Sequence, residues 1–256
     1  MQWFLSLAVW QQALLASLVM YAATALGASC VLWSKQIPKR LLTALTGAAA
    51  GIMIAASFFS LLLPALEAES GLPSYLTVTL GFLLGGAFLI VSDVLLSRRE
   101  NKFRALGDSK TALLFFAVTL HNIPEGMAVG VAFAAAAGGG GVYSALMLAL
   151  GIAVQNFPEG LCVAFPLRAK GVTPVKSFLF SQGSGAVEIP ACILGALLSS
   201  LLKWLLPWAL SFSAGAMIAV VCSELIPECF SGNKTVASLG IVFGFCVMML
   251  LDVALG

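Results

Sequence analysis

The sequence predicts an all-α integral membrane protein of eight transmembrane helices, one unit over residues 1–256, and three observations predict it. Hydrophobic residues make up 61% of the chain and charged residues 9%, with a mean hydropathy of +1.05. A soluble domain has about 45–50% apolar and about 25% charged residues. Eight apolar runs each reach the roughly 20 residues that cross a bilayer core. The joints between them are short and hold the charges and helix breakers, which leaves no room for a soluble domain.

The runs cover residues 8–33, 41–66, 74–97, 110–137, 141–168, 174–202, 207–230 and 235–255, with ends set to within about 2–4 residues. The first is too long for a secretory signal and lacks a basic leader and a small-residue cleavage site, so it reads as a retained helix. The second follows Lys35 and Pro38 to Arg40 and contains G-A-A-A-G-I-M-I-A-A-S, with Met53 at its centre. Glu67 and Glu69 lie in the next joint, which has no basic residue and can concentrate cations at an entrance. The third run ends near Asp93, before a basic joint from Arg98 to Lys110. Gly138 to Gly141 form a turn between the fourth and fifth runs, and Arg168 to Pro174 separate the fifth from the sixth. Lys203 to Pro207 precede the seventh, Ser231 to Lys234 the eighth, and Asp252 lies near the end of the last.

Small residues at Gly47-x-x-x-Gly51, Gly81-x-x-x-Gly85 and Gly240-x-x-x-Gly244 let helix backbones approach in lipid. The six cysteines stand singly, without a C-x-x-C pair, and read as small packing residues. Lysine and arginine collect in cytoplasmic loops. The first, third, fifth and seventh joints hold three, five, three and one of them, counting Lys176 just past Pro174 with the fifth, against one in the other joints together. Those four joints are therefore expected in the cytoplasm and both termini outside. The net charge of +2 arises from the same loops and implies no nucleic-acid partner.

The chemistry lies in polar residues inside the apolar runs. A charge at mid-membrane costs several kcal/mol, so such carboxylates mark a site or pathway. In the fourth run H-N-I-P-E-G places His121 and Glu125 four residues apart on one helix face, with Asn122 beside them. The fifth run repeats the pattern as Q-N-F-P-E-G, with Gln155, Asn156 and Glu159. If the two helices face each other, two carboxylates, one imidazole and three amides converge, a set that suits a divalent ion. Pro124 and Pro158 cannot donate to the carbonyls of Leu120 and Val154, so each helix is expected to bend and expose a backbone oxygen. Gly126 and Gly160 leave space beside each glutamate. The sixth run adds Glu188 before Pro190, and the seventh adds Glu224, lining the path, with Glu228 nearer the exit. Asp93 and Asp252 are candidates for the pathway mouths.

The doubled motif H-N-x-P-E-G and Q-N-x-P-E-G, on the fourth and fifth of eight spans, resembles the ZIP family of divalent metal transporters, in the form of its GufA-type branch. The resemblance extends to A-A-G-I-M-I-A-A-S-F-F-S-L-L-L-P-A-L-E and S-A-G-A-M-I-A-V-V-C-S-E-L-I-P-E. It implies a ZIP-type bundle with inverted-repeat character and a two-metal site at mid-membrane. His121, Glu125, Gln155 and Glu159 would hold one metal, with Met53 as a further ligand. Asn122, Asn156 and Glu188 would hold the second, with Glu125 and Glu159 bridging. It also implies alternating access against a static scaffold that forms a homodimer contact, and import through a bacterial inner membrane. Zinc is the expected substrate, with iron, manganese and cadmium as alternatives, and no catalytic cofactor is expected.

Three departures stand out. Gln155 replaces the histidine with which many members open the second motif, which lowers the expected selectivity. The third joint has no histidine to sense metal, and Ser223 stands where some relatives have another ligand. Two other function classes use similar groups. An intramembrane metallohydrolase would need two or three histidines, and the chain has one. A channel would bind its ion more weakly than these ligands do.

Overall fold

The computed structural model describes residues 2–68, 71–98, 109–137, 141–169, 171–201 and 203–255. Side chains are described for the same residues except 96–98, 109–118, 121, 169, 200–201, 203 and 255. The side chain of His121, together with Glu69, the joint from Arg99 to Asp108, Gly138 to Gly140 and Lys170, therefore lies outside the described residues.

Among the described residues the secondary structure is helical, without a strand. A short α1 (Gln2–Leu5) precedes α2 (Val9–Trp33). Then α3 (Lys39–Ala56) runs through a π-helical turn (Ser57–Leu62) into α4 (Leu63–Glu67). Next come α5 (Ser74–Arg98), α6 (Ser109–Ala137), α7 (Val142–Ala169), α8 (Pro174–Gly185) and α9 (Glu188–Leu201). The chain closes with α10 (Leu206–Val220), a second π-helical turn (Val221–Leu225), α11 (Ile226–Phe230) and α12 (Lys234–Leu255).

Among the described residues six stretches are long and apolar enough to cross a membrane: Val9–Trp33, Lys39–Glu67, Ser74–Leu95, Val142–Arg168, Leu206–Phe230 and Lys234–Ala254. The protein is an integral membrane protein, and its packing has the corresponding inside-out character. Leu83, Leu84 and Ile90 on α5 and Val242, Phe243 and Leu250 on α12 face outward, while Ser17, Thr24, Ser181, Ser184, Ser211 and Ser213 are buried. Apolar side chains gain nothing by leaving lipid, so small and polar residues collect where helices touch.

The predicted fourth and sixth segments are not among those six. The sixth is divided at Ala186 and Val187 into α8, of 12 residues, and α9, of 14. The composition S-Q-G-S-G explains the break, because glycine and serine are poor helix formers. Glu188 then opens α9, where the exposed N–H groups of a helix start favour an acid. At the other end of this segment, Thr173 caps α8 by accepting a hydrogen bond from Lys176 N, with Pro174 at the first helical position.

The two π-helical turns were also not predicted. Each ends just before a proline, Pro64 and Pro227, whose ring would clash with the carbonyl four residues back, that of Ser60 or Ser223. Widening the turn by a residue relieves this clash.

Helices pack most extensively as the pairs α3 with α12, α5 with α10, α2 with α7 and α6 with α9. In the first two pairs the glycines lie against the backbone of the partner helix. A Cβ on Gly51 would strike Ile241 O, and one on Gly244 would strike Ala48 O. The other pair repeats these contacts: Gly215 lies against Phe82 O and Gly85 against Phe212 O. The residues correspond through G-x-M-I-A at Gly51 and Gly215, S-x-L-(L/I)-P at Ser60 and Ser223, and G-x-x-x-G-x7-D-V at Gly81 and Gly240. The first copy has one more residue between its G-x-M-I-A and S-x-L stretches, and its π-helical turn spans six residues against five. Thus Gly51→Leu should cost about 1–3 kcal/mol, as overpacking does. Gly71, with nothing within 4 Å of an added Cβ, should tolerate alanine. Thermal unfolding of both variants in detergent checks this.

Candidate metal centre

Both motif helices run on through their prolines, α6 past Pro124 and α7 past Pro158 and Pro166. The four- and three-residue spacing of Gln155, Glu159 and Cys162 sets these side chains along one face of α7. With α6, α3 and the second π-helical turn, that face encloses a cavity of about 130 Å³. Met53, Glu125, Gln155 and Glu159 line it; so do Thr46, Cys162, Glu224 and Glu228, the two last being exposed.

Most polar groups of the two motifs and of α9 are nearly dry. Glu125 and Gln155 are each 1% exposed, and Asn122, Asn156 and Glu188 are completely buried; Glu159 is half-buried. Gln155 Nε2 donates to Glu125 Oε2 at 2.8 Å and to Asn156 Oδ1 at 2.7 Å, and reaches Glu159 Oε2 at 3.5 Å. Asn156 Nδ2 in turn donates to both oxygens of Glu188 at 2.9 Å. Two motif helices and α9 are thereby linked through one chain of carboxylates and amides. Among the described residues no three His, Cys, Asp or Glu side chains cluster by themselves at metal-holding distance. Carboxylates alternate with amides instead.

Asn122 is an exception to the linked set: among the described residues neither atom of its buried amide has a hydrogen-bond partner. Such an orphan costs about 1–3 kcal/mol, which a ligand would recover. The spaces expected beside the two glutamates are used by neighbouring helices. Gly126 lies against the backbone of Glu188, and Gly160 against Thr24 O. Gly130 extends the first seam to Cys192 O, so the glycines hold α9, and with it Glu188, against the motif of α6.

The structure brings together Met53, Glu125, Gln155, Asn156, Glu159 and Glu188, and lines the same cavity with Glu224. Asp93 and Asp252 do not line it. Asp252 accepts from Ser60 Oγ, with both carboxylate oxygens within 2.8 Å. Sequence reasoning missed three features of this region. Cys162, read as packing, lines the cavity and lies 3.2 Å from Thr46 Oγ1; its seven-residue spacing from Gln155 was the available signal. Thr46 had no signal in its own surroundings. Ser60 could have been found from the S-x-L-(L/I)-P stretch it shares with Ser223.

Buried carboxylates and amides around a cavity inside a helical bundle define the class: an integral membrane protein of apolar helices with a polar interior. The sequence pattern of the family described as ZIP Zinc transporter matches residues 104–252. Zinc transporter GufA of Myxococcus xanthus is 39% identical, over 95% of this chain and 98% of the relative. Zinc transporter ZIPB of Bordetella bronchiseptica is 38% identical over 92% and 79%, and Zinc transporter ZIP11 of Homo sapiens 34% over 96% and 97%. The chain belongs to the ZIP zinc transporter family.

Proposed function

We propose that the protein transports divalent metal cations into the cytoplasm by alternating access through a two-metal site, with zinc as the first substrate and iron, manganese and cadmium as further ones. One ion is held by His121, Glu125, Gln155 and Glu159 with Met53, the other by Asn122, Asn156 and Glu188, with Glu125 and Glu159 bridging. The observation that carries this reading is the meeting of Met53, Glu125, Gln155 and Glu159 on one cavity wall, with Asn156 and Glu188 hydrogen-bonded behind them. The buried amide of Asn122, without a partner among the described residues, supports the second position, and oxygen-rich ligands with one imidazole suit several divalent ions.

Glu224 lines the path with Glu228 nearer the exit, while Asp93 and Asp252 belong to the pathway mouths. In the same reading α6 and the α8–α9 pair also cross, which makes eight spans, and the basic joints place both termini outside a bacterial inner membrane. The second and seventh spans then run in opposite directions, so the duplicated glycine contacts of α3 with α12 and α10 with α5 support an inverted repeat. A homodimer completes the proposal. The relatives are named as transporters, and a chain with one histidine lacks the two or three that fix a hydrolytic metal.

The test is zinc uptake into proteoliposomes reconstituted with the full chain; uptake no faster than in protein-free vesicles overturns the reading. Protons and metal compete for carboxylates. Calorimetric titration with zinc should accordingly give weaker binding at about pH 5.5 than at about pH 7.5. Equal affinity at the two values would remove the carboxylates from the site.

A further inference from the structure

An alternating carrier must also turn over without cargo, and the site contains N–H groups placed among its carboxylates that can stand in for the ion. A side-chain amide nitrogen has two hydrogens to donate. Gln155 Nε2 has three oxygens around it, those of Glu125, Asn156 and Glu159 at 2.8, 2.7 and 3.5 Å. Asn156 Nδ2 likewise has three: both oxygens of Glu188 at 2.9 Å and the backbone oxygen of Met20 at 3.4 Å. Each nitrogen thus lies among acceptors as a small cation would, and the two together meet Glu125, Glu159 and Glu188. The carbonyl ends of the same amides are metal-ligating groups of the opposite polarity. Asn156 Oδ1 is occupied by Gln155 Nε2, so the two amides are coupled.

We propose that Gln155 and Asn156 are the counter-groups of the empty site. Their N–H donors hold the carboxylates of Glu125 and Glu188 in one linked chain, with Glu159 beside it, while the carrier reorients without metal, and the amides turn to offer oxygen when metal enters. This rests on the reading of the site as a transport site and adds a positioning role for the two amides in the empty state. Without these donors the carboxylates lose hydrogen bonds in the dry interior, where bonds to charged groups matter most. The return of the empty carrier is therefore the step that depends on them.

Asn156→Asp keeps the size and the oxygens of the side chain and removes the donor. With the full chain in proteoliposomes, labelled zinc is followed in two modes. Net uptake into metal-free vesicles requires the empty carrier to return, and exchange against equal unlabelled zinc inside does not. In Asn156→Asp the ratio of net uptake to exchange should fall about tenfold or more relative to wild type, the scale of one lost hydrogen bond to a charged group. Zinc affinity in detergent should be equal or higher. An unchanged ratio overturns the proposal, and so does a parallel fall in both modes together with affinity, which marks a ligand and nothing more.

Wild-type protein gives a second measurement that needs no variant. With 13C-labelled glutamine and asparagine, infrared difference spectra should show side-chain carbonyl bands shifting as zinc binds; bands that stay in place overturn the proposal. If the wild type moves zinc in neither mode, it is the transport reading that fails.

Discussion

Combining His121→Ala with Glu125→Ala should lower zinc uptake in proteoliposomes by more than about 100-fold, beyond the 10–100-fold that follows loss of a group merely supporting a metal ligand. His121 lies one turn before Glu125 on α6, so the pair removes both strong donors from one face of that helix. Glu125 is also the oxygen to which Gln155 Nε2 donates at 2.8 Å. Its loss leaves that N–H with fewer acceptors in a region closed to water, and it opens the chain of groups that runs through Asn156 to Glu188. Glu125→Gln alone separates charge from size, because it keeps the volume and removes the negative charge. Uptake by the double variant within about twofold of wild type, with monodisperse protein in the vesicles, would place metal binding elsewhere; the 100-fold scale set by ligand loss makes the distinction clear.

Gly126→Val should impair transport almost as strongly, although its side chain offers no ligand. An added Cβ would strike the backbone of Glu188, including its Cα and carbonyl oxygen. A backbone contact cannot yield by rotating a side chain, so α9 has to move away from α6, taking the Glu188 carboxylate off Asn156 Nδ2. A displacement of about 1 Å in a positioned group can cost on the order of 100-fold in rate. Uptake is expected to fall by about 10–100-fold, the range seen for groups that orient metal ligands. Gly71→Ala, in open space, is the matched control and should transport as wild type. A Gly126→Val protein with normal uptake would show that the position of Glu188 is unimportant.

Much of the site was legible because its residues carry a local pattern. His121 with Glu125 and Gln155 with Glu159 are one helical turn apart, and such spacing determines a shared face whatever the helix packs against. The sixth segment was less legible. Its acid and proline marked it as polar, but the break before Glu188 depends on glycines and serines that other membrane helices absorb. The π-helical turns were hidden because a proline signals a disturbed helix without saying whether the chain bends or widens. Asp252 was visible as a charge near a helix end, yet its bond to Ser60 joins residues on different helices, and no single-helix period encodes such a pair.

The sequence by itself determined that the chain lives in a membrane, that most of its apolar runs are helices long enough to cross, and which faces of α6 and α7 carry the donors. Those properties follow from composition and from a 3.6-residue period, both local. Only the tertiary structure decided that Asn156 serves Glu188, that Gln155 stands among three oxygens, that Cys162 and Thr46 share the cavity wall, and that Asn122 finds no partner among the described residues. The bonds of Asn156 to Glu188 and of Gln155 to Glu125, and the meeting of Cys162 with Thr46, are contacts between helices, set by how closely their backbones approach at glycines such as Gly126, Gly130 and Gly160. In lipid that approach depends on shape and on hydrogen bonds across helices, because apolar surface alone does not distinguish one neighbour from another.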